Sequence, residues 1–226
     1  MDSNHRVEEI FKNVFKVDGM LATKSIAPGT RVYGEEVVSI GGSEYRIWNP
    51  YRSKLAAAIL KGMKHFYFED NSKVLYLGAA TGTTCSHVSD IISKGVLNCV
   101  EISERSMREL LKVCEKRENM LPFMCDARNV DAYEKDVGRV DIIYQDVSAR
   151  DQADILVRNS RLLRGNGKAY VAIKSQSIDI SKKPKEVYDK FIDDVSSVFK
   201  LVEKIDIMPY DKMHLFVVLE KRQFDG

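Results

Sequence analysis

The chain has 226 residues, 44% hydrophobic and 30% charged, which suits one large globular domain, or one with a small appendage, whose core needs no staples. Its 35 Lys and Arg against 33 Asp and Glu leave +2, which excludes a wholesale nucleic-acid coat and confines any polyanion to a local patch. The longest aliphatic runs, such as Leu55 to Leu60, are too short to cross a bilayer, and Met1 to Lys16 lacks an apolar signal core, so secretion is not expected. Cys85, Cys99, Cys114 and Cys125 show no CxxC spacing and read as reduced, buried thiols rather than zinc ligands or disulfides.

Up to about residue 48, short β-like runs alternate with turn signals. Val7 to Val17 precedes Asp18-Gly19, Met20 to Ile26 precedes Pro28-Gly29, and Arg31 to Tyr33, Glu35 to Ile40 and Glu44 to Trp48 follow, with Gly41-Gly42 between the last two. This predicts a small antiparallel β unit. After Asn49-Pro50, strands and helices alternate. Helices are predicted at Ser53 to Leu60, Thr83 to Ser93, Glu104 to Lys116, Asp151 to Leu163 and Lys185 to Phe199. Strands are predicted at Val74 to Leu77, Val96 to Val100, Leu121 to Cys125, Val140 to Gln145 and Ala169 to Lys174, then at Leu201 to Ile207 and His214 to Leu219. The alternation predicts an α/β fold with a mainly parallel sheet covered on both faces. The last two strands are joined by too short a link for a crossover helix, so that pair must be antiparallel.

The first strand of the α/β part runs into Gly78-Ala79-Ala80-Thr81-Gly82-Thr83-Thr84. Small residues there let the backbone approach a ligand, and the threonines open a helix with free N–H groups. The spacing G-x-x-x-G departs from the dinucleotide fingerprint, whose second glycine admits a pyrophosphate. Glu101 ends the second strand, roughly 20 residues past the turn, where an acid grips ribose hydroxyls. Asp126 follows the third strand, where a carboxylate can accept from an adenine amino group, and Asp146 ends the fourth. Each acid alone could be a solvated strand end or a cap. Three at one sheet edge repel one another unless a ligand or cations compensate. An adenosine bearing a sulfonium suits such a crevice, which points to S-adenosylmethionine, with NAD as the alternative.

Lys174 ends the fifth strand, Lys54 opens the helix after Pro50, and His214 opens the last strand. A lysine ending a buried strand is either snorkelling or held against an acid such as Asp146. A Lys–Asp–Lys cluster suits methyl transfer to a ribose 2′-hydroxyl: one lysine takes up the hydroxyl proton and the second holds the oxygen or a phosphate. This set offers no metal ligands, so a metal-free reaction is expected. From Tyr45 to Phe68 there is no acid, while Arg46, Arg52, Lys54, Lys61 and Lys64 fall within the stretch, a candidate RNA-facing surface whose alternative is a solvated helix face. Tyr45, Trp48 and Tyr51 either stack bases or pack the junction.

Several longer words carry a family resemblance: Tyr45 to Ala57, Leu75 to Thr84, Ser86 to Asp90, Asp126-Ala127-Arg128 and Asp151-Gln152-Ala153. Through them the chain resembles fibrillarin, in its shorter archaeal form, over essentially its full length. The resemblance implies a Rossmann-like class I S-adenosylmethionine-dependent methyltransferase domain at 51–226, with a mainly parallel seven-stranded sheet and an antiparallel last strand. A small antiparallel β domain at 1–50 precedes it. The implied activity is RNA 2′-O-methylation of ribosomal and transfer RNA within box C/D guide ribonucleoproteins. The implied partners are guide RNA, a Nop-domain scaffold protein and a kink-turn-binding protein related to ribosomal protein L7Ae. By the same resemblance Lys54, Asp146, Lys174 and His214 are the catalytic set, and Thr83, Thr84, Glu101, Ile102, Asp126, Ala127 and Asp146 line the cofactor. Gly78, Ala79, Val147, Ser148 and Ala149 join them at the two turns.

Two segments depart from the family pattern. Where the family reads Asp-Val-Ala-Gln-Pro-Asp-Gln, this chain reads Asp146-Val147-Ser148-Ala149-Arg150-Asp151-Gln152, which replaces a cofactor-contacting glutamine by Ala149. Met213 stands where an acid usually precedes His214, which removes an expected orienting partner. The eukaryotic Gly/Arg-rich tail is absent, so an archaeal, cytoplasmic protein is expected. A non-catalytic subunit of the same particle and a methyltransferase of protein glutamine remain as other readings.

Overall fold

The computed structural model describes residues 5–223; Met1 to Asn4, which belong to the segment read for a signal core, lie outside the described residues. Turn residues cut the first part into five strands: β1 (Val7–Phe11), β2 (Val14–Val17), β3 (Met20–Lys24), β4 (Val37–Ile40) and β5 (Ser43–Ile47). They form one antiparallel sheet in the order β1-β2-β3-β5-β4. The run from Val7 to Val17 is a hairpin rather than one strand. Asn13 turns it at a φ of 57°, a left-handed conformation Asn tolerates, and Glu9 accepts its N–H at 2.8 Å. Arg31 to Tyr33 forms no strand, because the Glu35 carboxylate accepts the N–H groups of Val32 and Tyr33 at 3.0 and 2.9 Å. A side chain replaces the neighbouring strand there.

Next come α1 (Lys54–Leu60), β6 (Lys73–Leu77), α2 (Thr83–Ile91), β7 (Val96–Glu101), α3 (Glu104–Cys114), β8 (Met120–Met124), α4 (Glu134–Val137) and β9 (Val140–Gln145). The chain continues with α5 (Gln152–Asn159), β10 (Leu163–Lys174), α6 (Ser175–Ile178), α7 (Pro184–Val195), β11 (Phe199–Asp206) and β12 (His214–Lys221). The second sheet runs β11-β12-β10-β9-β6-β7-β8. Neighbours from β10 to β8 are parallel, while β12 is antiparallel to β10 and β11. This is the expected mainly parallel seven-stranded sheet with an antiparallel last strand. The helix expected to reach Leu163 stops at Asn159, and β10 starts at Leu163 rather than Ala169, with a register shift before Lys168.

Period-two alternation sorts the strands onto two faces. Val74, Tyr76, Cys99, Ile142 and Tyr144 face a core shared with α1, α2 and α3, and Val14, Leu21 and Trp48 of the first part join it. Leu75, Val100, Ile143, Val171 and Leu219 pack against α5 and α7 on the other side. Cys85 and Cys99 are buried, Cys114 and Cys125 half-buried, and all four are free. Burial pushes the Cys114 thiol up to about 12. Among the described residues, no helix is long and apolar enough to cross a membrane.

A buried polar cluster ties the first sheet to α2. Arg46 on β5 donates to Glu35 at 2.7 Å, to Asp90 of α2 at 2.7 Å and to Ser86 at 2.8 Å. Asp90 also accepts from Arg117 at 2.6 Å and from Thr23 at 2.8 Å. The Thr23 hydroxyl, its proton committed to Asp90, accepts from His87 Nδ1 at 2.7 Å, and Tyr33 donates to His87 Nε2 at 2.8 Å. Burial, reinforced by Arg46 and Arg117, pushes His87 well below its ordinary pKa, so the ring is neutral. Arg46 is therefore corrected from the RNA-facing list. It is fully buried, and Asp90 and Glu35 outweigh the burial that opposes its charge and raise its pKa.

Candidate active site

The sheet order places the crevice between β6 and β9, where the chain leaves in opposite directions. Gly78 turns out of β6 at a φ of 82°, and a Cβ there would lie 2.8 Å from the Asp146 carbonyl oxygen. Glycine is thus required both by conformation and by the close approach of two strand ends. Beyond it, Glu101 ends β7 and is buried. Its carboxylate accepts the N–H of Ala80 at 2.7 Å and of Ser103 at 2.8 Å, so it shapes the Gly78–Gly82 turn as well as facing the crevice.

The crevice holds a cavity of about 300 Å³ lined by Gly78, Glu101, Ile102, Asp126, Ala127, Asp146, Val147, Ser148, Ala149 and Lys174. Ala79, Thr83 and Thr84 do not line it. Ala79 faces the core, and Thr84 is buried with its hydroxyl donating to Ser53 at 3.0 Å. The expected repulsion among three acids is met within the chain. Arg128, also a wall residue, bonds Asp151 at 2.7 and 2.8 Å and reaches Asp126 at 3.3 Å. The Asp151 hydrogen bond raises the Arg128 pKa, and Arg128 in turn lowers that of Asp151.

Lys54 and Lys174 converge on Asp146. Lys54 Nζ lies 3.2 Å from Asp146 Oδ2, and Lys174 Nζ lies 2.8 Å from Oδ1. The Oδ1 contact is an ion pair without hydrogen-bond alignment, whereas Lys174 donates well-formed bonds to the Asp146 carbonyl at 2.9 Å and to Ser148 Oγ at 3.0 Å. Lys54 is set by the N-terminus of α1, where Ser53 caps Ala56 N–H at 3.4 Å. Under the cluster, Tyr76 and Tyr144 stack with centroids 4.4 Å apart, both buried and pushed by burial to pKa values well above the ordinary. His214 sits opposite Lys174 in the β10–β12 ladder.

Sequence reasoning missed Asp211. Its Oδ1 lies 2.7 Å from His214 Nδ1 and its Oδ2 3.7 Å from Lys54 Nζ. The expected loss of an orienting partner is thereby corrected: Asp211 reaches the same ring from three residues away. The available signal was an acid within the Pro209-Tyr210-Asp211 turn.

The basic run does not form one patch. Arg52 is exposed beside Lys54, with its guanidinium 5.6 Å from the Tyr33 ring centroid. Lys61 and Lys64 are exposed at the far end of α1, about 10 Å along the helix axis from Lys54. There the Lys64 backbone N–H bonds Glu203 at 3.0 Å.

The fibrillarin family model matches residues 1–223. The chain belongs to the fibrillarin family. A fibrillarin-like rRNA/tRNA 2′-O-methyltransferase of Methanocaldococcus jannaschii is 46% identical over 220 residues, covering 94% of this chain and 96% of the relative. A solved Aeropyrum pernix fibrillarin with natively bound S-adenosyl-L-methionine is 41% identical, with a TM-score of 0.88 over 96% of this chain and 97% of that one. A fibrillarin in a fibrillarin/Nop5p complex is 37% identical, also with a TM-score of 0.88, over 96% of this chain and all of that one.

Proposed function

We propose that this fibrillarin is an S-adenosylmethionine-dependent RNA ribose 2′-O-methyltransferase. In this reading it is the catalytic subunit of a box C/D guide ribonucleoprotein acting on ribosomal and transfer RNA in the archaeal cytoplasm. The observation that carries the proposal is the convergence of two lysines on Asp146 at the rim of the crevice cavity. The named relatives support the substrate class and the cofactor, and the Nop5p complex of a relative supports a Nop-domain scaffold as partner. Guide RNA and a kink-turn-binding protein related to ribosomal protein L7Ae complete the proposed particle. Residues 1–50 are taken as a small β domain and residues 51–226 as the methyltransferase domain.

The wall residues fit the cofactor. Glu101 keeps spare lone pairs for ribose hydroxyls after accepting two N–H groups. Asp126 and Ala127 would hold the adenine, and the N–H groups opening α2 at Thr83 and Thr84 would receive the carboxylate end. Ala149 leaves space where a longer side chain would touch the ligand. When bound, S-adenosylmethionine supplies a methyl group on a positively charged sulfur. The chain's task is then to align one hydroxyl and handle one proton. Lys174, engaged by three oxygens, fixes Asp146. Lys54, only partly engaged, is left to hold the acceptor oxygen. Arg52 contacts a nearby phosphate, with Lys61 and Lys64 contributing a separate, weaker contact.

The test is transfer of tritium from labelled cofactor to a guide-matched RNA, with and without the partner proteins. Label at the 2′-oxygen of the guided nucleotide is expected. Label absent from RNA in the complete assembly would overturn the proposal, and label on protein glutamine would favour the other enzyme reading.

A further inference from the structure

His214 Nδ1 faces two acceptors, Asp211 Oδ1 at 2.7 Å and the Lys212 carbonyl at 2.8 Å. A nitrogen between two acceptors must be a donor, so the tautomer of the neutral ring is the one with its proton on Nδ1 and its free lone pair on Nε2. The loop is built to hold this arrangement. Met213 adopts a left-handed φ of 62°, and its carbonyl accepts from Ser175 N at 3.1 Å and Ser175 Oγ at 2.9 Å. That bond ties the turn to the residue following Lys174. The same Asp211 carboxylate reaches Lys54 Nζ at 3.7 Å, so one acid touches both a lysine and the histidine of the cluster.

The geometry points to Asp211 as a positioning residue that makes His214 Nε2 the proton acceptor of the reaction. This rests on the methyltransferase reading above and assigns the proton differently from a lysine base. Lys174 already faces three oxygens and Lys54 two carboxylates, so both act as donors. As the acceptor oxygen forms its new bond to the methyl carbon, the carbon–sulfur bond of the sulfonium breaks to leave a neutral thioether, the O–H bond breaks and the proton passes to Nε2. The resulting imidazolium keeps its Nδ1–H on the Lys212 carbonyl, and the Asp211 carboxylate, 2.7 Å from the same nitrogen, offsets the new positive charge. No further co-reactant is needed: the proton leaves to solvent after turnover.

The test combines a tautomer measurement with kinetics on the full chain. In nitrogen-15 NMR at pH 8, wild-type His214 is expected as the Nδ1–H tautomer; an Nε2–H tautomer overturns the inference whether or not methyl transfer is observed. In the reconstituted particle, Asp211→Asn keeps an acceptor at Nδ1 but removes the charge, and about a 10-fold lower kcat is expected with unchanged RNA KM. Asp211→Ala is expected to lose about 30- to 100-fold, as for removal of the carboxylate charge that offsets the imidazolium. A kcat within about twofold of wild type in Asp211→Ala, or losses only in KM, overturns it. Failure of the wild-type particle to methylate any RNA would instead sink the methyltransferase reading and leave the tautomer measurement to judge the positioning role.

Discussion

Replacing Arg46 by methionine separates a structural arginine from an RNA-binding one. The guanidinium is fully buried and bonds Glu35, Asp90 and Ser86. Breaking a buried ion pair from one side typically costs about 3–5 kcal/mol, because a charge is left without its partner. Here the abandoned acids keep other donors. Asp90 retains Arg117, Thr23 and the Ile26 N–H at 3.1 Å, and Glu35 retains the Val32 and Tyr33 N–H groups. The low end, about 3 kcal/mol, is therefore expected, or roughly 6–12 °C in Tm for a domain of this size. Urea unfolding gives the number, and adding Glu35→Gln to Arg46→Met should recover part of it by removing the stranded charge. Unchanged stability in Arg46→Met together with a weaker salt dependence of RNA binding would refute the reasoning and return Arg46 to the surface.

Arg52→Ala is expected to behave oppositely: unchanged Tm, and a salt slope of RNA binding smaller by about 1, read by titration at several salt concentrations. The pH dependence of stability should carry the signature of His87. Its folded pKa lies well below 6.5, so above pH 6.5 neither state binds the proton and the stability is fully present. As pH falls below 6.5 the unfolded chain takes up a proton the folded chain refuses, and up to about 1.4 kcal/mol is lost per pH unit until the folded pKa is reached. Urea midpoints at pH 7.5 and 5.5 check this, and a His87→Gln variant should show a flatter dependence. Gly78→Ala should cost about 1–2 kcal/mol from its left-handed φ alone. Because the added methyl meets the carbonyl that holds Lys174, kcat should fall further than the loss of stability accounts for; a kcat unchanged in soluble, folded Gly78→Ala would show that the approach is slack.

The order of elements was legible because strand and helix periods differ. The crevice was legible because the glycine turn, Glu101 and Asp146 each mark a strand end. What could not be read were contacts between residues distant along the chain. Arg46 looked like surface charge because its nearest neighbours are not acids, and Asp90, its main partner, lies on another element. Arg31 to Tyr33 looked extended, but local backbone bonds to Glu35 took the place of a ladder. Asp211 was overlooked because attention to the position just before His214 assumed a straight approach, whereas the left-handed Met213 turns the loop so that the residue three back faces the ring. The acids at the strand ends were rightly located but wrongly weighed: each finds its compensation in Arg128, in the lysines or in backbone N–H groups, so their number alone does not demand a ligand.

The buried cluster explains why a methyl-transfer site needs the first sheet at all. Two arginines and two acids, Arg46, Arg117, Glu35 and Asp90, cancel in charge, and such a cluster contributes little net stability compared with apolar packing of the same volume. Its geometry does more than its energy. From Asp90 the bonds pass through Thr23 to His87 and on to Tyr33, which donates to the His87 ring and whose hydroxyl oxygen accepts the Asn49 N–H at 3.4 Å. Trp48 stacks on the same His87 ring at 4.7 Å. The segment so anchored, Trp48 to Ser53, leads directly to Lys54, while α2, which supplies His87 and Asp90, begins at the Gly78–Gly82 turn. One buried polar network therefore sets both the lysine side and the glycine-turn side of the crevice, because its directional bonds fix the register between them in a way that non-directional apolar contacts do not.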